Sequence, residues 1–240
     1  MKKSLILFLT LASFSFVFGQ NIVTSSFEKG QLRKVFDEFN NPVDNVEGNP
    51  FLYDEWSEGL LQMADSTFVE KKIKFKFNSY LNEVWAKLDG GKQIIILYNA
   101  GILSLELTQA NGQKILLKKV KTSIKEEGNQ FFQVLYEGKN YMLVNDLKKK
   151  FHKAGTEDSA LALTRNDVPK DAYEDNYSYF LKVSNKPFVR FSSLKRGNLT
   201  ELAPPSRTLA VEKFCKEHNL KGKLTDTEAI QLLTFLDGFN

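Results

Sequence analysis

The stretch Lys71 to Leu97, KKIKFKFNSYLNEVWAKLDGGKQIIIL, decides the fold. Ile73, Phe75 and Phe77 alternate with Lys72, Lys74 and Lys76. This period of two predicts a strand with its apolar side chains on one face and its ammonium groups on the other. Turn chemistry follows from Asn78 to Asn82, then a second strand from Glu83 to Leu88. Asp89-Gly90-Gly91 suits the positive φ angles of a tight hairpin, and Gln93 to Leu97 reads as the returning strand.

The same grammar recurs outward from this stretch. Further strands are predicted at Gly59 to Met63, Phe68 to Phe77, Leu103 to Leu107, Lys114 to Val120, Phe131 to Tyr136, Tyr141 to Val144 or somewhat beyond, Tyr177 to Val183 and Phe188 to Ser192. Their spacing of about 8 to 12 residues is that of an antiparallel meander. Asn111-Gly112, Glu137-Gly138 and Ser184-Asn185 supply turns like that at Asp89-Gly90. Between Lys153 and Tyr173 periodicity is lost, which predicts a surface loop.

After Ser193 the period changes. Pro204-Pro205-Ser206 ends the sheet region, and Ser206 is placed to cap a helix over about 206–219 with Ala210, Val211, Phe214, Cys215 and His218 on one face. Thr225 and Glu228 form a capping box for a second helix over about 226–237, with Ala229, Leu232, Leu233 and Leu236 as its stripe and Gly238 at its end. Upstream, Leu32, Val35, Phe36 and Phe39 have the spacing of a short amphipathic helix. Asn40 to Pro50 reads as loop, and Phe51, Leu52, Tyr53 and Trp56 as a plug for one end of the sheet. The expected fold is α+β, a twisted antiparallel sheet over about 59–193, of meander or half-barrel form, with two C-terminal helices, all in one domain of residues 20–240.

The first residues point to export. Lys2 and Lys3 form a basic region, Leu5 to Phe18 an apolar one, and Val17-Phe18-Gly19 a small-residue cleavage site, so residues 1–19 read as a signal peptide and Gln20 as the mature N-terminus. No cysteine follows for lipid attachment, and no later apolar run is long enough for a transmembrane anchor. The expected location is periplasmic or extracellular. Cys215, the lone cysteine, permits no internal disulfide.

Removing Lys2 and Lys3 takes the basic count from 33 to 31 against 29 acidic residues, a near balance that does not support nucleic-acid binding. The lysines between Lys71 and Lys153 fall mostly at outward strand positions, where they solvate a face and discourage edge pairing.

For catalysis or metal binding the inventory is thin. His152 and His218 are the only histidines, and no HExxH, CxxC or G-x-S-x-G pattern occurs. Cys215 and His218 extend an apolar helix stripe, and His152 reads as a solvated residue. The carboxylate pairs Glu126-Glu127 and Asp54-Glu55 are neighbours in sequence and on an extended chain point to opposite faces. Asn198-Leu199-Thr200 matches a glycosylation sequon, a pattern short enough to arise by chance. No catalytic residue, metal ligand or cofactor is assigned.

One feature rises above this background. FFQVLY from Phe131 to Tyr136 and YSYFLKV from Tyr177 to Val183 carry large apolar groups on both faces. The plain reading is a sheet covered on both sides, by the C-terminal helices and the N-terminal segment. The sharper one is an apolar or peptide-like ligand on a curved sheet, with Phe132, Val134, Tyr136, Tyr179 and Leu181 as its wall.

The Gly48-Asn49-Pro50-Phe51-Leu52 run followed by Trp56 and Gly59, FKFNSYLNEVWAKLDGGK, FFQVLYEGKNYML ending in Lys148 to Phe151, and YFLKVSNKPFVRF before two helices resemble a group of exported proteins from Bacteroidetes-type bacteria. The resemblance spans most of the mature chain. Its motifs are hairpin grammar, so it carries over no functional residue. A looser likeness to the half-barrel of envelope lipid and lipoprotein carriers concerns architecture only. The functional expectation is a non-enzymatic exported protein that acts through binding, with an envelope protein or apolar ligand as partner. The alternatives are a carrier of an apolar ligand and a hydrolase without a recognisable motif.

Overall fold

The computed structural model describes residues 46–64, 68–69, 73–88, 93–97, 101–122, 130–154 and 170–239. The expected signal peptide, the helix expected near Leu32 to Phe39, Glu126-Glu127 and the turn expected at Asp89-Gly90 lie outside the described residues. Strands β1 (Val46–Glu47), β2 (Ser57–Met63), β3 (Phe68–Val69), β4 (Lys74–Asn78), β5 (Glu83–Leu88), β6 (Gln93–Leu97) and β7 (Ile102–Thr108) come first. They are followed by β8 (Lys114–Val120), β9 (Gln130–Glu137), β10 (Tyr141–Asp146), β11 (Lys149–His152), β12 (Asp171–Asp175), β13 (Ser178–Val183) and β14 (Val189–Phe191). Three helices close the chain: α1 (Arg196–Thr200), α2 (Thr208–Glu217) and α3 (Asp226–Asp237).

The α+β expectation holds. Ten strands form an open antiparallel path, β14-β13-β10-β9-β8-β7-β2-β4-β5-β6, with β3 paired beside β2. Phe75, Phe77, Val84, Ala86, Leu105, Leu107, Leu117 and Phe131 share one face and one buried cluster, as the alternation around Phe75 requires.

This face is buried by curvature. Strands β4 and β9 are four steps apart in the sheet, about 19 Å if it were flat, yet the Phe77 and Phe131 rings meet edge to face at 6.1 Å. The turn after β4 locks the curl: Asn82, at φ 56°, donates from Nδ2 to the Phe131 carbonyl at 3.1 Å and accepts the Phe131 amide at 2.9 Å. Gly59 lets the β7 backbone approach β2 closely, because a Cβ there would lie 2.4 Å from the Glu106 carbonyl oxygen.

Beyond β9 the same face is covered by helices. Leu199 of α1, Val211 and Cys215 of α2, and Ala229, Leu232, Leu233 and Leu236 of α3 pack on Tyr141, Leu143 and Leu181. The capping box is present, Glu228 N donating to Thr225 Oγ1 and Thr225 N to Glu228 Oε2. Gly238 follows α3 with right-handed backbone, φ −73°.

Several expectations are corrected. Ser206 does not cap α2: Pro204-Pro205 start a 3-10 turn that includes it, and no side chain caps the helix at Arg207. Ala210 and His218 are exposed, His218 lying against the Phe214 ring. The stretch from Phe68 to Phe77 is described as two strands, β3 and β4, both paired with β2. The loop reading ends early, because Asp171–Asp175 forms β12 between β1 and β11 in a second, three-stranded sheet.

Lys76 is not a solvated lysine, being only 9% exposed. Phe51 and Trp56 lie over the outer face of β4 and β5 with Trp85 rather than plugging an end, and the Lys76 ammonium sits 4.7 Å from the Phe51 ring and 5.7 Å from that of Trp56. Burial pulls the Lys76 pKa down, while the charges of Asp54 and Glu55 work against that.

Phe75 is 1% exposed and Lys74 is exposed on the other face. Phe75→Ala should therefore cost about 3–5 kcal/mol of stability and Lys74→Ala less than about 0.5 kcal/mol. Urea titrations of the two variants check this, and equal losses would place the register of β4 in error.

Candidate functional site

The five residues read as a ligand wall do not lie on one surface. Phe132 and Val134 belong to an apolar cluster with Val120, Val144 and Phe180 on the side of the sheet away from the helices. Leu181, Tyr179 and Tyr136 belong to the cluster beneath the helices. A β-bulge separates the two sets within β9. Val144 pairs with Val134 but Leu143 with Tyr136, so the extra residue Leu135 turns Tyr136 onto the helix side. Phe132 is 0% exposed and Leu181 2%, so both are packed inside the protein's own core.

Tyr179 leads to a different feature. Down β9, the residues on its side of the sheet are Phe131 in the rolled cluster, Gln133, then Leu135 beneath the helices. From Leu147, just past the end of β10, the same passage runs back through Asn145 to Leu143. Gln133, Asn145 and Tyr179 are directly paired across β9, β10 and β13, so a polar row divides the two apolar clusters. Neighbouring side chains in such a row are about 5 Å apart.

Three tyrosines gather along this seam. Tyr179 donates its hydroxyl to Asp226 Oδ1 at 3.0 Å, in the first turn of α3. Burial first, then the charge and hydrogen bond of Asp226, push the Tyr179 pKa up to about 12. Tyr177 is held further above its ordinary value by burial, by the charge and hydrogen bond of Asp175, and by the nearness of Tyr53 and Tyr179. Tyr53 accepts a hydrogen bond from Gln109 Nε2, and burial raises its pKa against that bond. All three phenols are neutral near pH 7.

The row contains an unsatisfied acceptor. Asn145 is 3% exposed and its Oδ1 has no hydrogen-bond partner. Leaving such a group unpaired costs about 1–3 kcal/mol. Asp175 lies 3.9 Å from Lys149 Nζ, on the rim of the seam toward the small sheet. The seam therefore holds the Asp226 carboxylate engaged by Tyr179, the Asp175 carboxylate shared by Tyr177 and Lys149, an unpaired amide oxygen and aromatic rings, a set rich in hydrogen-bond acceptors.

The remaining sequence candidates lie elsewhere. His152 is 3.4 Å from Glu174 on β11 and β12, and Cys215 is buried, with its thiol pKa raised by that burial. Asn198 lies in α1 beside the buried Leu199. Among the described residues, no three His, Cys, Asp or Glu side chains gather as metal ligands would, and no helix is long and apolar enough to cross a membrane. The sequence signal for the seam was Gln133 and Asn145, polar residues at apolar-face positions of two strands. Only the strand register shows that they adjoin one another and Tyr179. No family model, curated protein or solved structure matches the chain.

The raised tyrosines give a pH dependence. The folded state holds the Tyr179 proton above the ordinary value of 10.0, so its contribution to stability is whole below pH 10 and falls as the pH rises toward about 12. Tyr179→Phe should flatten this alkaline loss, and Asp226→Asn should shift the phenol's titration downward. Denaturant titrations between pH 8 and 11.5 and absorbance of the phenolate check both; an alkaline loss of the same size in Tyr179→Phe would refute the assignment.

Proposed function

We propose that the protein is an exported, non-enzymatic binding protein, and that it holds a peptide-like partner at the tyrosine seam through an ammonium or guanidinium group. The observation that carries this reading is the buried, unpartnered Asn145 Oδ1 on the strand position paired with Tyr179, whose hydroxyl meets the Asp226 carboxylate. An N–H donor admitted by a local opening at β10 would satisfy that oxygen, whose residue is 3% exposed in the closed fold. The Asp226 carboxylate at the end of Tyr179 would favour a positively charged donor.

The alternative of an apolar carrier draws less support, since Phe132 and Leu181 already bury their surface in the core. The hydrolase alternative asks for a carboxyl free to exchange a proton with substrate. Asp226 and Asp175 are each engaged by a phenol whose own pKa is raised, an arrangement suited to accepting donors. Export is supported by the basic and apolar N-terminal pattern with its small-residue cleavage site.

Calorimetric titration with an N-acetylated trilysine amide tests the binding reading, with the same peptide acetylated at every Nε as control. The charged peptide should bind and the control should not. Asp226→Asn, with its fold checked by circular dichroism, should weaken binding at least about tenfold, or 1.4 kcal/mol. No binding, or equal binding of the two peptides, would overturn the ammonium reading. An intact mass of envelope or secreted material that begins before Gln20 would overturn the export reading separately.

A further inference from the structure

The two ends of the large sheet are built differently. Strand β14 has three residues, includes Arg190, and follows Lys186-Pro187, so it is short, charged and preceded by a residue without an N–H. These are the devices by which a sheet edge avoids pairing with another chain. Strand β6 has none of them. Its residues are Gln93, Ile94, Ile95, Ile96 and Leu97, without charge, proline or bulge, and it is paired on one side only among the described residues.

Both faces of β6 continue an apolar layer. Ile95 is buried in the rolled cluster with Leu97 packed against it, while Ile94 and Ile96 pack on Phe51 and Trp85. A strand added at this edge extends both layers at once, and the uncharged sequence sets no like charges against each other when it meets itself. Antiparallel pairing about Ile95 places Ile94 opposite the partner's Ile96 and Gln93 opposite the partner's Leu97.

We propose that β6 is a self-association edge, and that two copies of the chain join there as a two-fold symmetric dimer with a continuous sheet. This does not depend on the reading of the tyrosine seam. The pairing residues belong to a strand whose other edge is held by β5, which fixes their extended backbone.

Sedimentation equilibrium of the wild-type chain over a range of concentrations should show a monomer–dimer equilibrium. Hydrogen exchange of the amides of residues 93–97 should slow as the dimer fills. The double variant Gln93→Lys/Leu97→Lys sets like charges opposite each other at both ends of the paired strands and should weaken the dimer about tenfold or more. Gln93→Lys/Leu97→Glu sets opposite charges there and should associate more tightly than the first variant. A wild-type monomer at every concentration, or exchange of residues 93–97 that ignores concentration, overturns the proposal without reference to any variant. Equal association of two folded variants overturns the pairing about Ile95.

Discussion

The contact between Phe77 and Phe131 sets the terms for the rest of the molecule. An antiparallel sheet with one apolar face must cover that face. Here the helices lie on the β9, β10 and β13 part, while the β4 to β8 part closes over its own side chains. Rolling brings Phe77 to within 6.1 Å of Phe131, and Asn82 converts that approach into two hydrogen bonds with the Phe131 backbone. The left-handed conformation at Asn82 is one that asparagine tolerates better than most residues. Gly59 is the matching requirement on the other side of the roll: any side chain at that position collides with the backbone of β7.

Two means of burial on one face must meet along a line. Gln133, Asn145 and Tyr179 mark that line, where the rolled strands end and the helices begin. Tyrosine suits such a boundary, since its ring packs against apolar neighbours while its hydroxyl reaches a polar group. Tyr179 follows this rule with Asp226, and Tyr177 with Asp175. Asn145 does not, because its Oδ1 is buried without a donor. Polar atoms in that state are uncommon in folded proteins, and each calls for an account such as a water, an ion or a ligand.

The alternation from Lys71 to Phe77 was legible because a period of two needs only local sequence, and so were the capping box at Thr225 and the turn at Asn111-Gly112, where Gly112 has φ 81°. Lys76 was misread because the side chains that cover it, Phe51 and Trp56, come from a segment about 20 to 25 residues earlier whose path no period reveals. Strands β11 and β12 were missed for a related reason. Their residues, KKFH and DAYED, have little apolar pattern, and ring contacts of Tyr173 with Phe151 and Tyr80 hold them. The proposed ligand wall treated Phe132 and Tyr136 as separated by an even number of positions and hence on one face. The bulge at Leu135 breaks that count, and a bulge has no reliable signature without its partner strand.

The helices and sheet are tied by a device the sequence did not announce. Asp237 stands at the C-terminal end of α3, where a carboxylate faces the negative end of the helix dipole and is disfavoured. It is kept there by the β9–β10 turn: Tyr136 Oη and Lys139 N donate to its Oδ2 at 2.9 and 2.7 Å, and Asn140 N and Nδ2 both donate to its Oδ1 at 2.8 Å. Burial alone would raise its pKa, but the bonds from Asn140, Tyr136 and the backbone outweigh burial and hold the carboxyl below its ordinary value. The tie is therefore complete above the ordinary aspartate range and is lost as the pH falls through the lowered folded value. Gly138 is part of the same device, since a Cβ there would lie 1.9 Å from Asp237 Oδ2 and 2.5 Å from Tyr136 Oη. The bulge that turns Tyr136 toward the helices thus does two things: it removes Tyr136 from the side of Phe132, and it supplies one of the donors that fix α3 over the sheet. With α3 fixed, Asp226 at its other end is fixed too, and so is the carboxylate that Tyr179 meets in the seam.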